Sequence, residues 1–114
     1  VLCNHVLEHI TDDAKAMQEL YRVTKKGGTL IAQVPLEEER EISFEDPSIT
    51  DPKERARLFG QYDHVRVYGK DYYTRLEAAG FQVTAVDFLS ELKEKEKLRF
   101  GLPKAEKIPL GKKL

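Results

Sequence analysis

Residues 4–35 read NHVLEHITDDAKAMQELYRVTKKGGTLIAQVP. Val1-Leu2-Cys3 just before them is a short apolar run, which predicts the end of a buried strand. Thr11 followed by Asp12 and Asp13 predicts a helix start, with a capping hydroxyl and then acids against the positive helix end. Ala14, Met17, Leu20 and Tyr21 recur at helical spacing and predict the buried stripe. Lys25-Lys26 followed by Gly27-Gly28 is a helix stop, and Thr29 to Val34 is a strand closed by Pro35. Strand, helix and strand over so short a span predict a right-handed βαβ crossover and a parallel sheet. The polar turn where the first strand ends is then the place for chemistry, because such sheets bind ligands at the carboxyl ends of their strands.

Outward from this unit, residues 36–69 break the rhythm. Glu37, Glu38, Glu39, Glu41, Glu45 and Asp46 make an acidic, solvated loop. Asp51-Pro52-Lys53-Glu54 inside it is a sharp helix start, with Asp as cap and Pro at the first helical position, and Gly60 ends that helix. An insertion after a strand's carboxyl end sits where a lid or substrate wall would be. The chain therefore divides into a 1–35 core, a 36–69 lid-like segment and a 70–114 closing segment. In the last, Asp71 to Ala79 predicts a helix with Tyr72, Leu76 and Ala79 on one face and Gly80 as its stop. Phe81 to Phe88 predicts a strand. Glu91 to Arg99 predicts a charge-rich helix with a Glu91–Lys95 pair, and Lys107 to Lys113 a short strand that Pro109 restricts to a sheet edge.

Composition bounds the function. The 114 residues carry 19 basic and 20 acidic side chains, a net charge of −1, so no overall field draws the chain to nucleic acid or membrane. Lys104, Lys107, Lys112 and Lys113 lack interleaved aromatics. A single Cys, no signal-peptide pattern and no apolar run near membrane-spanning length lead us to expect a cytoplasmic protein. The chain opens inside a predicted strand, and its only Met is internal, so the expectation is a partial domain.

His5-Val6-Leu7-Glu8-His9 matches H-x-x-E-H, in which two histidines one helical turn apart ligate zinc and the Glu acts as base. That chemistry needs a continuous helix and a third ligand, for which Glu77 is the nearest candidate. The motif is crowded between a strand and the Thr11 start, which leaves a zinc hydrolase as a remote alternative and no metal in the main reading.

VLCNHVLEHITDDAKAMQELYRVTKKGGTLIAQVP closely resembles the Rossmann-like (class I) S-adenosylmethionine-dependent methyltransferases of the small-molecule branch. Members carry an apolar strand, a VLEH-type turn, a helix ending in an ELYRV-type run with two glycines, and a strand ending in Pro. GQYDHVRVYGKDYYTRLEAAGFQVTAVDF resembles the family's late helix and sixth strand, and the closing LRFGLPKAEKIPLGKKL its antiparallel seventh strand. Thr24-Lys25-Lys26 replaces the family's Leu-Lys-Pro. The resemblance implies an α/β fold: the C-terminal half of a methyltransferase sheet, strands in the order 4-5-7-6 with flanking helices, and the N-terminal half absent. The family's glycine-rich cofactor loop and its ribose-binding acid both belong to that other half, and Gly-x-Gly-x-x-Gly does not occur here.

The resemblance further implies S-adenosylmethionine as cofactor, with Cys3, Asn4 and His5 against its methionyl part, and a small-molecule methyl acceptor. A base is required only if that acceptor must lose a proton, and His9 and His64 are the candidates because histidine titrates nearest neutral pH. Tyr68 is a further catalytic candidate, and Arg66 would hold an anionic or polar acceptor. Two alternatives stay open: methyl transfer by the complete protein, with little cofactor affinity in this piece alone, or a non-catalytic domain that self-associates. A bare strand-four edge would favour a homodimer in either case.

Overall fold

The computed structural model describes residues 1–103 and 105–114; Lys104, grouped above with the basic side chains, lies outside them. The strands are β1 (Thr29–Ile31), β2 (Phe44–Glu45), β3 (Arg66–Val67), β4 (Gln82–Val86) and β5 (Ile108–Lys112). The helices are α1 (Asp13–Val23), α2 (Pro52–Phe59), α3 (Asp71–Ala78) and α4 (Glu94–Arg99), with single 3₁₀ turns at Leu7–His9 and Leu89–Glu91. No helix among the described residues is long and apolar enough to cross a membrane.

Residues 1–5 run parallel to β1. Ile31 N–H donates to the Val1 carbonyl at 2.9 Å, Cys3 N–H to the Ile31 carbonyl at 2.9 Å, and His5 N–H to the Gln33 carbonyl at 2.8 Å. Only Leu2 forms a regular bridge, to Ile31, and Leu2 is 75% exposed rather than buried as its apolar run predicts. On its other side β1 pairs antiparallel with β5, which pairs antiparallel with β4. The spatial order is therefore residues 1–5, β1, β5, β4, the 4-5-7-6 arrangement expected from the sequence.

β5 is central, which corrects the expectation that Pro109 confines it to an edge. Ala32 N–H donates to the Pro109 carbonyl at 3.3 Å, so the two residues face each other in the ladder. A regular ladder would return a bond from residue 109 N–H to the Ala32 carbonyl, and proline has no hydrogen to give. The buried Tyr72 hydroxyl donates to that carbonyl instead, at 2.5 Å. Proline is thus tolerated mid-sheet because a side chain supplies the missing donor.

Leu7, Met17, Leu30, Ala32, Val34, Tyr68, Tyr72, Leu76 and Phe81 form the core cluster. Each large side chain buried this way contributes roughly 1.5–3 kcal/mol. Helix α1 is capped by Asp12, whose carboxylate accepts from Lys15 N–H at 3.0 Å, and not by Thr11. Starting one residue later, the helix turns Asp13 and Ala16 toward the interior with Met17 and leaves Ala14 exposed. Helix α2 follows its sequence signals, with the Asp51 carboxylate accepting from Glu54 N–H and Gly60 ending it at a positive φ of 92°. The helix expected over Glu91 to Arg99 is interrupted where Leu92 turns extended. The Glu91–Lys95 pair does not form, the ion pair in α4 is Glu94 to Lys97, and Leu98 is 85% exposed.

The 36–69 segment holds a two-stranded ribbon, β2 against β3, with α2 between its strands. A parallel bridge from Leu36 to Tyr68 brings the two ends of the segment together, and a bond from Val65 N–H to the Glu8 carbonyl at 2.9 Å ties it to the 1–35 core.

Candidate functional site

The turn at the end of the first strand is built by backbone bonds to β1 and its continuation. The Asn4 side-chain oxygen accepts from Gln33 N–H at 3.0 Å. His5 holds a positive φ of 56°, an uncommon backbone state that reverses the chain there. Cys3, Asn4 and His5 thus stand together at the carboxyl ends of two parallel strands. Burial, and then the negative charge of Glu8, raise the Cys3 thiol above its ordinary pKa, so this thiol stays protonated and unreactive.

The 3₁₀ turn Leu7–His9 follows at once. Glu8 is 2% exposed, and its Oε1 lies 3.8 Å from His5 Nδ1 and 3.7 Å from His9 Nε2. His9 is partly exposed and turns its Nδ1 to Asp63 Oδ2 at 3.3 Å. His64 is nearly buried, its Nδ1 3.3 Å from the Phe59 carbonyl and its ring edge-on to that of His9, with centroids 4.6 Å apart. The structure therefore brings together both base candidates, from opposite ends of the sequence pattern, around one buried carboxylate.

Arg66 and Tyr68 do different work from an open acceptor site. Arg66 is 4% exposed and donates to the carbonyls of Leu7 at 2.8 Å, Ile10 at 2.5 Å and Thr11 at 2.8 Å, and through Nε to Glu45 at 2.7 Å. It clamps the turn that carries Glu8 and His9. Tyr68 is fully buried, with its hydroxyl on Asp13 Oδ2 at 2.7 Å. Burial, and next the bond to Asp13, raise its pKa far above the ordinary phenol value, so the hydroxyl stays protonated. Arg66 also lines a cleft of about 260 Å³ with Thr11, Glu45, Ile49, Arg55 and Val65.

With this geometry in place, comparison with known proteins decides the family. A model described as a methyltransferase domain matches residues 1–86. The chain belongs to the methyltransferase domain family. No curated protein matches it. Among solved structures, this methyltransferase domain is similar to PigF with SAH, with a TM-score of 0.58 and 20% identity over 99% of this chain and 29% of that one. It is also similar to BH2331, a candidate methyltransferase from Bacillus halodurans C-125, with a TM-score of 0.53 and 19% identity over 99% of this chain and 63% of that one. This chain thus spans less than two thirds of either neighbour.

Sequence reasoning missed Asp13, Glu45 and Arg75 in this methyltransferase domain. Arg75 Nη1 donates to Asp13 Oδ2 at 2.7 Å and Nη2 to Glu45 Oε1 at 3.3 Å, joining α1, α3 and β2 beneath the turn. Asp13 read as a helix-start acid and Glu45 as a member of a solvated run, and neither signal points inward. The inward phase of Asp13 could have been found from its spacing to Met17 and Leu20. Glu77, the third zinc ligand of the H-x-x-E-H reading, is exposed on α3, and the motif spans a single 3₁₀ turn rather than a helix.

Proposed function

We propose that the protein transfers a methyl group from S-adenosylmethionine to a small-molecule acceptor, and that this chain forms one wall of the cofactor cleft. One observation carries the reading: in a chain of the methyltransferase domain family, residues 1–5 pair parallel with β1 and end in the polar Cys3-Asn4-His5 turn at the sheet's carboxyl edge. The SAH named with PigF supports the cofactor assignment. The Asn4 side chain is spent on Gln33 N–H, so backbone groups of the turn, with the neutral Cys3 thiol beside them, would meet the methionyl end. We assign the glycine-rich loop and the ribose-binding acid to a part of the protein outside these 114 residues.

A sulfonium is already an active methyl donor, so alignment of an in-line nucleophile and exclusion of water supply most of the catalysis. His9, the more open of the two clustered imidazoles, would take the acceptor's proton. Arg66 would edge the acceptor cleft, and Tyr68 would act behind it by positioning Asp13. The test is calorimetric titration of S-adenosylmethionine into the complete protein, followed by tracing its labelled methyl group. Binding that weakens on His5→Pro, which cannot hold the positive φ, and label in a small-molecule fraction are the expected results. Absence of binding by the complete protein overturns the proposal, while absence of binding by residues 1–114 alone is expected.

A second reading, self-association without catalysis, rests on the outer edge of residues 1–5. Val1 and Leu2 are 48% and 75% exposed there, and an open strand edge invites pairing with a second copy. A monomer in sedimentation at all concentrations would remove it.

A further inference from the structure

We propose that Glu8, His9 and His64 bind a divalent first-row transition-metal ion, with zinc as the type case. One ligand atom from each of the three lies within 4.8 Å of those of the other two. Two imidazoles and one carboxylate suit zinc, cobalt(II) or manganese, and do not suit calcium or magnesium, which prefer oxygen ligands throughout.

The buried carboxylate makes the case independent of that proximity. Glu8 Oε2 is fully buried and has no hydrogen-bond partner among the described residues. Its other oxygen lies 3.8 Å from His5 Nδ1 and 3.7 Å from His9 Nε2, both beyond hydrogen-bond distance. A buried acceptor left unsatisfied costs about 1–3 kcal/mol, and more when charged. A bound cation removes that cost.

Both histidines are oriented from behind, as ligands to a metal are. Asp63 holds Nδ1 of His9, and the Phe59 carbonyl holds Nδ1 of His64. An acceptor oxygen beside each Nδ1 favours the tautomer protonated there, which leaves the Nε2 lone pair free for an ion. The bond from Val65 N–H to the Glu8 carbonyl locks the His64 loop against the turn that carries the other two ligands. Three protein ligands leave a position open, and His9, with 28% of its side chain exposed, faces that position toward solvent. If the methyl-transfer reading holds, the ion takes over the role given above to His9: an acceptor hydroxyl bound there becomes more acidic and releases its proton to water.

This site differs from the one the H-x-x-E-H spacing suggests. Glu8 is a ligand rather than a base, and His64 takes the place of His5, whose side chain is 62% exposed.

The test is titration of the metal-stripped complete protein with cobalt(II), read by its visible absorption, and with zinc, read by imidazole nitrogen shifts. The expected result is one ion per chain, with His9 and His64 Nε2 resonances shifted and those of His5 unmoved. Glu8→Gln and His64→Asn should each weaken ion binding at least about tenfold, Asp63→Asn about 10–100-fold through loss of orientation, and His5→Ala should leave the ion affinity unchanged. Should Glu8→Gln fail to fold, the zinc-induced shifts in the unaltered protein still decide. No saturable binding, or binding that survives His64→Asn but fails in His5→Ala, overturns the proposal. S-adenosylmethionine affinity measured on the same samples separates this outcome from failure of the methyl-transfer reading.

Discussion

Tyr68 and Asp13, 55 residues apart in sequence, meet through a 2.7 Å hydrogen bond from the phenol to Asp13 Oδ2, and Arg75 donates to the same oxygen. Burial alone would raise the Asp13 pKa, but these two bonds and the Arg66 charge hold it below the ordinary value of 3.8. A carboxyl whose pKa is depressed by folding contributes stability that is present above its unfolded value, about 3.9, and is lost as the pH falls through the folded one. Asp13→Asn should therefore flatten the acid side of the stability profile. Urea unfolding at a series of pH values below about 5 measures this, and an unchanged acid slope would count against the role given to Asp13.

Arg66 satisfies three carbonyls and Glu45 at once. Arg66→Met takes the donor from the Ile10 and Thr11 carbonyls, while the Leu7 carbonyl keeps the Ile10 N–H, and should cost about 1–3 kcal/mol for each carbonyl left unsatisfied. Arg66→Lys should fall between, since a point charge cannot span the fork. Amide exchange at Val65, whose N–H bonds to Glu8, should quicken in both variants if the clamp holds the turn.

Tyr72→Phe removes the donor that answers the Ala32 carbonyl and should destabilise by about 1–3 kcal/mol. In Tyr72→Phe with Pro109→Ala, residue 109 regains an N–H facing that carbonyl, and most of the loss should return. Pro109→Ala alone should stay within about 1 kcal/mol, because a carbonyl can accept two bonds. Additive effects in the denaturation cycle would refute the substitution of one donor for the other.

Legibility from sequence followed the range of the forces involved. Asp51, Pro52, Glu54 and Gly60 bracket α2 because capping is settled within four residues. The strand order emerged from a family pattern carried by local runs such as ELYRVTKKGG. Pro109 misled because the rule against mid-sheet proline is local, while the hydroxyl that overrides it sits on another helix. Thr11 and Asp12 are both good caps, and only the fold, in which Arg66 takes the Thr11 carbonyl, separates them. Glu8 read only as the base of a zinc motif, since nothing in a VLEH turn says that its carboxylate is sealed from water beside His64.

Gly80 and Gly60 offer a paired test of backbone strain. Both hold positive φ, 118° and 92°, but a Cβ at Gly80 would stand 2.8 Å from the Tyr21 ring, and one at Gly60 meets open space. The Tyr21 ring is fixed edge-on to Phe81 at 5.1 Å and carries Lys113 Nζ 4.4 Å from its centroid, so it cannot easily move away. Gly80→Ala should cost about 1–3 kcal/mol more than Gly60→Ala, read as the difference in denaturant midpoint at equal m-value.

β5 joins β1 to β4, and it is the last strand in the sequence. Until Ile108–Lys112 leave the ribosome, β1 and β4 have no ladder between them. A nonsense mutation just before Ile108 would therefore split the sheet rather than trim it.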